Sequence, residues 1–400
     1  MLAMASAIKL STYFDRYPKK YLWLAAAFVG TLARIVIARL GHNEDFYNWT
    51  WNATVLRDGG SVYSGDVPYG YGPFWMFVLR FADLIQSIFP ENRKIFRLVI
   101  ILILTFADLL IAAIIARKFS QYAGLLFFLN PISIIITGYH NQFDNIAILA
   151  ALVAVLYFDS EPSESKSRNL YLGLALIGLS LAVKQILLFV PVWLFFRNGT
   201  FKQRITRGAV PYVVYIACFI PWATSIARAE IIFEEVFLQR RGRSGILLNL
   251  FGADYAGTIQ GSSYSDLIRK VVFASWLLGI FAFGWIMRNR SLIHSLIVYL
   301  LLMVGLAPAY SQQQLILPLI ALFVYATIEL KVFYLLTLLF MIQNSDELGY
   351  EFLFPHFFRL NGTIYAWLQV LLLIFALRIV LPDHPQNLKS RHLQSALKLD

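Results

Sequence analysis

The sequence predicts an all-α protein threaded many times through a membrane, with further helices lying on the outer membrane face. Three observations carry that expectation. Apolar residues fill 59% of the 400 positions, and charged residues only 14%, where soluble chains average about 25% charged. The mean hydropathy is +0.65. A soluble domain has no interior large enough to hide so much apolar surface, whereas a bilayer is itself an apolar solvent. Lipid offers the backbone no hydrogen bonds, so long apolar runs must satisfy their own, and they do so as helices. The composition also excludes disorder. A single cysteine excludes a disulfide framework and a thiolate zinc cluster.

The first apolar run, 22–40, follows a tail carrying Lys9, Arg16, Lys19 and Lys20. No cleavage site follows it, so it reads as a retained helix with a cytoplasmic N-terminus. Further runs cover 96–117, 121–138, 144–158, 169–183, 185–196, 208–226, 271–287, 291–308, 313–328, 331–342 and 363–381. The total is about twelve spans, several of them short for a hydrocarbon core of about 30 Å and therefore tilted, paired or in thinned bilayer. The run 74–89 stands apart because Arg80, Asp83 and Gln86 lie near its middle. Each charge there would cost about 2.5–3.5 kcal/mol on insertion scales, and an amphipathic helix on the membrane surface avoids that cost. With this assignment the basic residues gather on the inner connections and the acidic ones on the outer. The net charge of +11 then reads as a positive-inside pattern, with both termini cytoplasmic, and requires no nucleic acid. No internal repeat or pair of inverted halves stands out. Residues 1–400 read as one membrane-embedded domain with two large outer loops, 41–95 and 227–270.

Those loops hold the candidate chemistry. Glu44 and Asp45 lie side by side directly after the first helix, and a partly desolvated carboxylate there gains basicity suited to a general base. The plain alternative is a pair of charges ending a helix in water. Asn48-Trp49-Thr50 and Asn52-Ala53-Thr54 match the N-glycosylation pattern but lie in the same candidate region. Tyr69 and Tyr71 sit among prolines and glycines before the surface helix, an anchored turn at the interface. Between two apolar runs come His140, Asn141, Gln142, Asp144 and Asn145, a density of hydrogen-bonding side chains that is costly beside a bilayer unless it faces a cavity or ligand. His140 has no second histidine or cysteine at zinc-ligand spacing, and no metal is expected. Lys184 interrupts an apolar stretch and either snorkels to water or pairs with an anion. Arg240, Arg241 and Arg243, and Gln313 at the start of a later run, are further candidates for holding an anion; an arginine cluster more often contacts solvent or lipid headgroups.

Taken together, these features resemble the GT-C superfamily of integral-membrane glycosyltransferases, which use polyprenyl-phosphate sugars. The segment His140-Asn141-Gln142-Phe143-Asp144 is similar to the His-Phe-Gln-Tyr-Asn motif of the glucosyltransferases of lipid-linked oligosaccharide assembly, although three of its positions depart from it. The loop 45–73 resembles that of mannosyltransferases of the glycosylphosphatidylinositol-pathway type. The resemblance implies inverting transfer of mannose or glucose to a lipid-linked or cell-envelope glycan on the outer or lumenal face. It implies Asp45 as general base, with Glu44 as its substitute. His140, Gln142 and Asp144 would meet donor sugar or phosphate, and Lys184 or the Arg240–Arg243 cluster would hold the phosphate. Tyr69, Tyr71 and Gln313 complete the expected binding residues. No cofactor is needed, because the donor carries its own activation. The expected partners are the donor, the glycan acceptor and the bilayer. Short inner loops and no retention signal favour a bacterial plasma membrane over endoplasmic reticulum.

Two other classes fit the composition. A transporter or flippase for a lipid-linked sugar would place ionisable groups on broken helices near the midplane, with repeat symmetry. A non-catalytic assembly subunit would have no need of outer motifs this dense.

Overall fold

The computed structural model describes residues 19–65, 69–90, 94–159, 166–238, 265–307, 312–343 and 363–380, and among them there are helices and turns but no strand. The all-α expectation holds. Among the described residues, two helices are long and apolar enough to cross a membrane. They are α1 (Lys19–Ala38) and α4 (Lys94–Lys118). A third span results if α5 (Gln121–Leu129) and α6 (Pro131–Ile135, continued by a π turn Ile136–His140) are counted together across their 43° bend.

The bend has a local cause. Proline disfavours a helical residue before it, and Asn130 is accordingly extended; its side-chain oxygen caps the next helix by accepting from the Ser133 N–H. Six more apolar helices run only 10–17 residues, about 15–25 Å at 1.5 Å per residue. They include parts of α7 (Asp144–Asp159), α8 (Lys166–Val183) and α9 (Val190–Phe196). The expected runs 169–183 and 185–196 are thus parted at Lys184, whose backbone is extended between α8 and a 3-10 turn, Gln185–Leu187.

The loop 41–95 contains two helices. The segment α2 (Glu44–Arg57) follows α1 after a brief turn, and α3 (Phe74–Ile88) fills the position foreseen for the surface helix. Along α3, Trp75, Met76, Val78, Leu79 and Ala82 are buried, while Phe77, Phe81, Leu84 and Ile88 are exposed. Its charges are tied along one edge, where Asp83 pairs with Arg80 at 2.6 Å and with Arg57 at 3.2 Å.

The chain divides into two compact units. The first contains Met1–Leu188, Val210–Arg240 and Leu338–Arg359; the second contains Phe189–Ala209, Arg241–Thr337 and Leu360–Asp400. In the first, α7 and α8 pack as a pair, with Ser180 donating to the Ala147 carbonyl at 2.7 Å, and α4 packs against α5 and α7. The remaining helices are α10 (Phe201–Ala217), α11 (Ile226–Ile232), α12 (Ser265–Ile286), α13 (Leu292–Gly305), α14 (Leu319–Tyr325), α15 (Ile328–Gln343) and α16 (Thr363–Val380). In the second unit, Trp193 of α9 donates to the Ile280 carbonyl of α12 at 3.0 Å. Gln369 of α16 donates to the carbonyls of Val304 and Ala307 at 2.9 and 2.8 Å. That bond satisfies backbone acceptors at the end of α13, where helical partners run out.

Candidate functional site

The polar segment after α6 is shaped by an unusual helix ending. The π turn gives way to Asn141 in the left-handed conformation, φ +54°, where asparagine is better tolerated than most residues. The Asn141 side chain donates back to the carbonyls of Thr137 and Gly138 at 3.0 and 3.2 Å, and Gln142 N–H reaches Ile136 O at 3.2 Å. The chain reverses tightly and Asp144 opens α7, so Gln142 and Asp144 enter one small volume from adjacent elements.

Asp45, in the first turn of α2, meets them there. Its Oδ2 accepts from Gln142 Nε2 at 2.6 Å and from Asn43 Nδ2 at 2.9 Å. Lys184 Nζ donates to Gln142 Oε1 at 3.3 Å and to Asp144 Oδ2 at 2.5 Å. Four sequence-predicted residues therefore form one chain, Asp45–Gln142–Lys184–Asp144. Burial raises the Asp45 carboxyl above the ordinary carboxylate range, opposed by Lys184 and by the Asn43 hydrogen bond, while Asp144 and Glu44 add to the rise. Asp45 is thus a stronger base than a carboxylate in water. Its neighbour Glu44 is exposed, so the acidic pair splits into one residue of the cluster and one in solvent.

The Lys184 ammonium is buried with its partner, a geometry in which losing either charge leaves the other uncompensated. Aromatic rings complete its surroundings, with Nζ 5.0 Å from the Phe143 centroid and 5.6 Å from that of Tyr71. Phe143 stacks on Trp75 at 4.1 Å and meets the edges of Trp49 and Tyr71. Tyr71 is brought there by Gly72, which lies so close to the Ala182 carbonyl at the end of α8 that any Cβ would collide with it. Tyr69 is fully buried and donates to Gly72 O at 2.9 Å. Tyr69 thus shapes the turn, and Tyr71 faces the cation.

His140 is buried, in edge contact with Tyr139, and neither ring nitrogen has a hydrogen-bond partner among the described residues. Asp144 Oδ1 is likewise buried without one. Buried polar atoms are normally satisfied, so these two side chains are open to the polar atoms of a ligand. Gln313 lies in the second unit, half-buried in the 3-10 turn Gln312–Ile316. Arg240, Arg241 and Arg243 lie outside the described residues. Asn52 is fully buried, which closes the second glycosylation pattern to modification in the folded chain.

Sequence reasoning passed over Asn43 and Arg97, and read Trp75 only as an interface residue. Arg97 Nε donates to Asn141 Oδ1 at 2.9 Å, Nη1 to Ala38 O at 2.7 Å, and Nη2 to Gly41 O at 2.5 Å, Gly138 O at 3.1 Å and Tyr139 O at 3.2 Å. Its signal in the sequence was faint, one of three basic residues with Arg93 and Lys94 at the start of a long apolar run. Among the described residues no group of three acidic, histidine or cysteine side chains could hold a metal. Compared with models of protein families, with curated proteins and with solved structures, the chain matches none.

Proposed function

We propose that this protein is a multi-pass membrane glycosyltransferase of GT-C type, transferring mannose or glucose from a polyprenyl-phosphate donor to a glycan acceptor at the outer or lumenal face. The observation that carries the reading is the Asp45 carboxylate, kept basic by burial and oriented by Gln142 and Asn43. In the reaction the acceptor oxygen attacks the anomeric carbon while Asp45 takes the hydroxyl proton. The bond from that carbon to the phosphate oxygen breaks with inversion, and polyprenyl phosphate leaves with the electron pair. Such a leaving group needs positive charge more than a proton. Lys184 supplies that charge by turning from Asp144 toward the phosphate. His140 and the second oxygen of Asp144, both without a hydrogen-bond partner among the described residues, bind donor hydroxyls. About twelve spans remain the membrane arrangement of this reading, with the short helices paired or in thinned bilayer.

The test is a donor screen. Purified protein receives mannosyl, glucosyl or arabinosyl polyprenyl phosphate with candidate acceptors, and release of polyprenyl phosphate is measured. Acceptor-dependent release that disappears in Asp45→Asn supports the reading, and no release from any donor removes it.

A second reading, transport of a lipid-linked sugar, draws on one observation. The helix broken at Lys184 bears a buried ion pair at its end, an arrangement transporters use at substrate sites. Movement of an intact donor across proteoliposomes without cleavage would favour it.

A further inference from the structure

We infer that Arg97 is a positioning residue that fixes the spacing between the segment bearing Asp45 and the segment bearing Gln142. This inference rests on the proposed role of Asp45 as base. Arg97 stands in the first turn of α4, yet its hydrogen bonds go elsewhere. Two reach the end of α1 and the turn after it, at Ala38 O and Gly41 O; three reach the π turn and its ending, at Gly138 O, Tyr139 O and the Asn141 side chain. The guanidinium also lies 5.2 Å from the centroid of Phe46, the residue after Asp45.

Helix C-terminal ends present carbonyls without intrahelical partners and a partial negative charge. Two such ends converge on one cation. Gly41 precedes Asp45 by four residues, and Asn141 is bonded directly to Gln142, so the clamp holds both sides of the 2.6 Å Asp45–Gln142 bond. A close backbone fit supports the same junction, since a Cβ on Gly138 would lie 2.6 Å from Arg34 O. Arginine suits the task because its planar fork carries five donors in fixed directions; lysine keeps the charge but reaches fewer carbonyls at once.

The prediction follows from that difference. Arg97→Lys should fold, retain donor KM within about threefold, and lose kcat by 10-fold or more, because a base displaced by a fraction of an ångström loses catalytic power steeply. The carboxyl stretch of Asp45, isolated as the infrared difference between the parent and its Asp45→Asn derivative, should titrate at higher pH in Arg97→Lys. In that variant Lys184 and the Asn43 hydrogen bond no longer oppose desolvation as effectively, while Asp144 and Glu44 still repel the charge. A purely structural arginine predicts lower thermal stability with kcat per folded molecule and the Asp45 titration unchanged, and that result overturns the inference, as does a titration that falls. The infrared readout needs no turnover. A chain that transfers no sugar, yet shows the upward shift, refutes the proposed reaction and leaves the clamp standing.

Discussion

Arg34 and Asp108 face each other at 2.9 Å with neither side chain exposed, although 74 residues separate them in the chain. The two belong to α1 and α4, the two described helices long and apolar enough to cross a membrane, and their pair gathers a polar network inside the first unit. Arg34 also donates to Gly30 O, Phe128 O and Ser133 Oγ. Asp108 accepts from Ser133, Thr137 and Asn145 as well. Removing one partner leaves a buried charge, which typically costs about 3–5 kcal/mol, whereas replacing both with apolar residues is often near neutral. Arg34→Met and Asp108→Leu should each lower stability to denaturant in detergent by that amount, and the double variant should recover most of the loss. Simple addition of the two losses would show that the pair is not coupled.

The acidic pair after α1 should behave asymmetrically. Asp45 is held by Gln142 and Asn43, while Glu44 is exposed. A positioned base contributes about 10²–10⁴-fold, so Asp45→Asn should reduce polyprenyl phosphate release by that factor with donor binding intact. Glu44→Gln should change it less than about threefold, since adjacent residues of a helix point in different directions. The reverse ranking would move the base by one residue, and two silent variants would remove it from this loop.

Acidity offers a check with a defined sign. Burial raises Asp45 and Lys184 restrains the rise, so the acidic limb of kcat/KM should lie above the ordinary carboxylate value of about 3.9. Lys184→Met removes the restraint and should move that limb to higher pH. Asp144→Asn removes a repelling charge and should move it lower. Stability runs the other way. A raised folded-state value contributes stability that is full below the unfolded carboxyl's pKa and lost as pH rises through the folded one. Limbs that shift in the same direction in both variants would break the electrostatic account.

Topology can be tested without substrate. In a Cys218→Ser background, cysteines at Glu44 and Asn198, both exposed, should react with an impermeant thiol reagent from opposite sides of sealed vesicles. Labelling of both from one side would overturn the alternating arrangement and with it the placement of the candidate site on the outer face.

Composition pointed to helices built around apolar segments, because backbone hydrogen bonding in an apolar setting leaves few other choices, and the described residues are helical with no strand. The expected cost of Arg80 and Asp83 in lipid led the sequence reading to set 74–89 apart, and a helix with those charges paired fills that segment. Local sequence also marked Asp45, Gln142, Asp144 and Lys184, polar groups conspicuous beside apolar runs. Their mutual contacts were not legible there. Whether Lys184 meets solvent, a ligand or Asp144 depends on the break that follows α8 and on the turn at Asn141, which bring residues 40 positions apart within 2.5 Å. The same holds for Glu44 and Asp45, equivalent by type and separated only by which one faces the π turn. Arg97 was hidden most completely, because its partners are backbone carbonyls, which every residue carries and which no side-chain pattern records. Tertiary structure decides such cases because a hydrogen bond is set by direction and distance, and both arise only when separate helices converge.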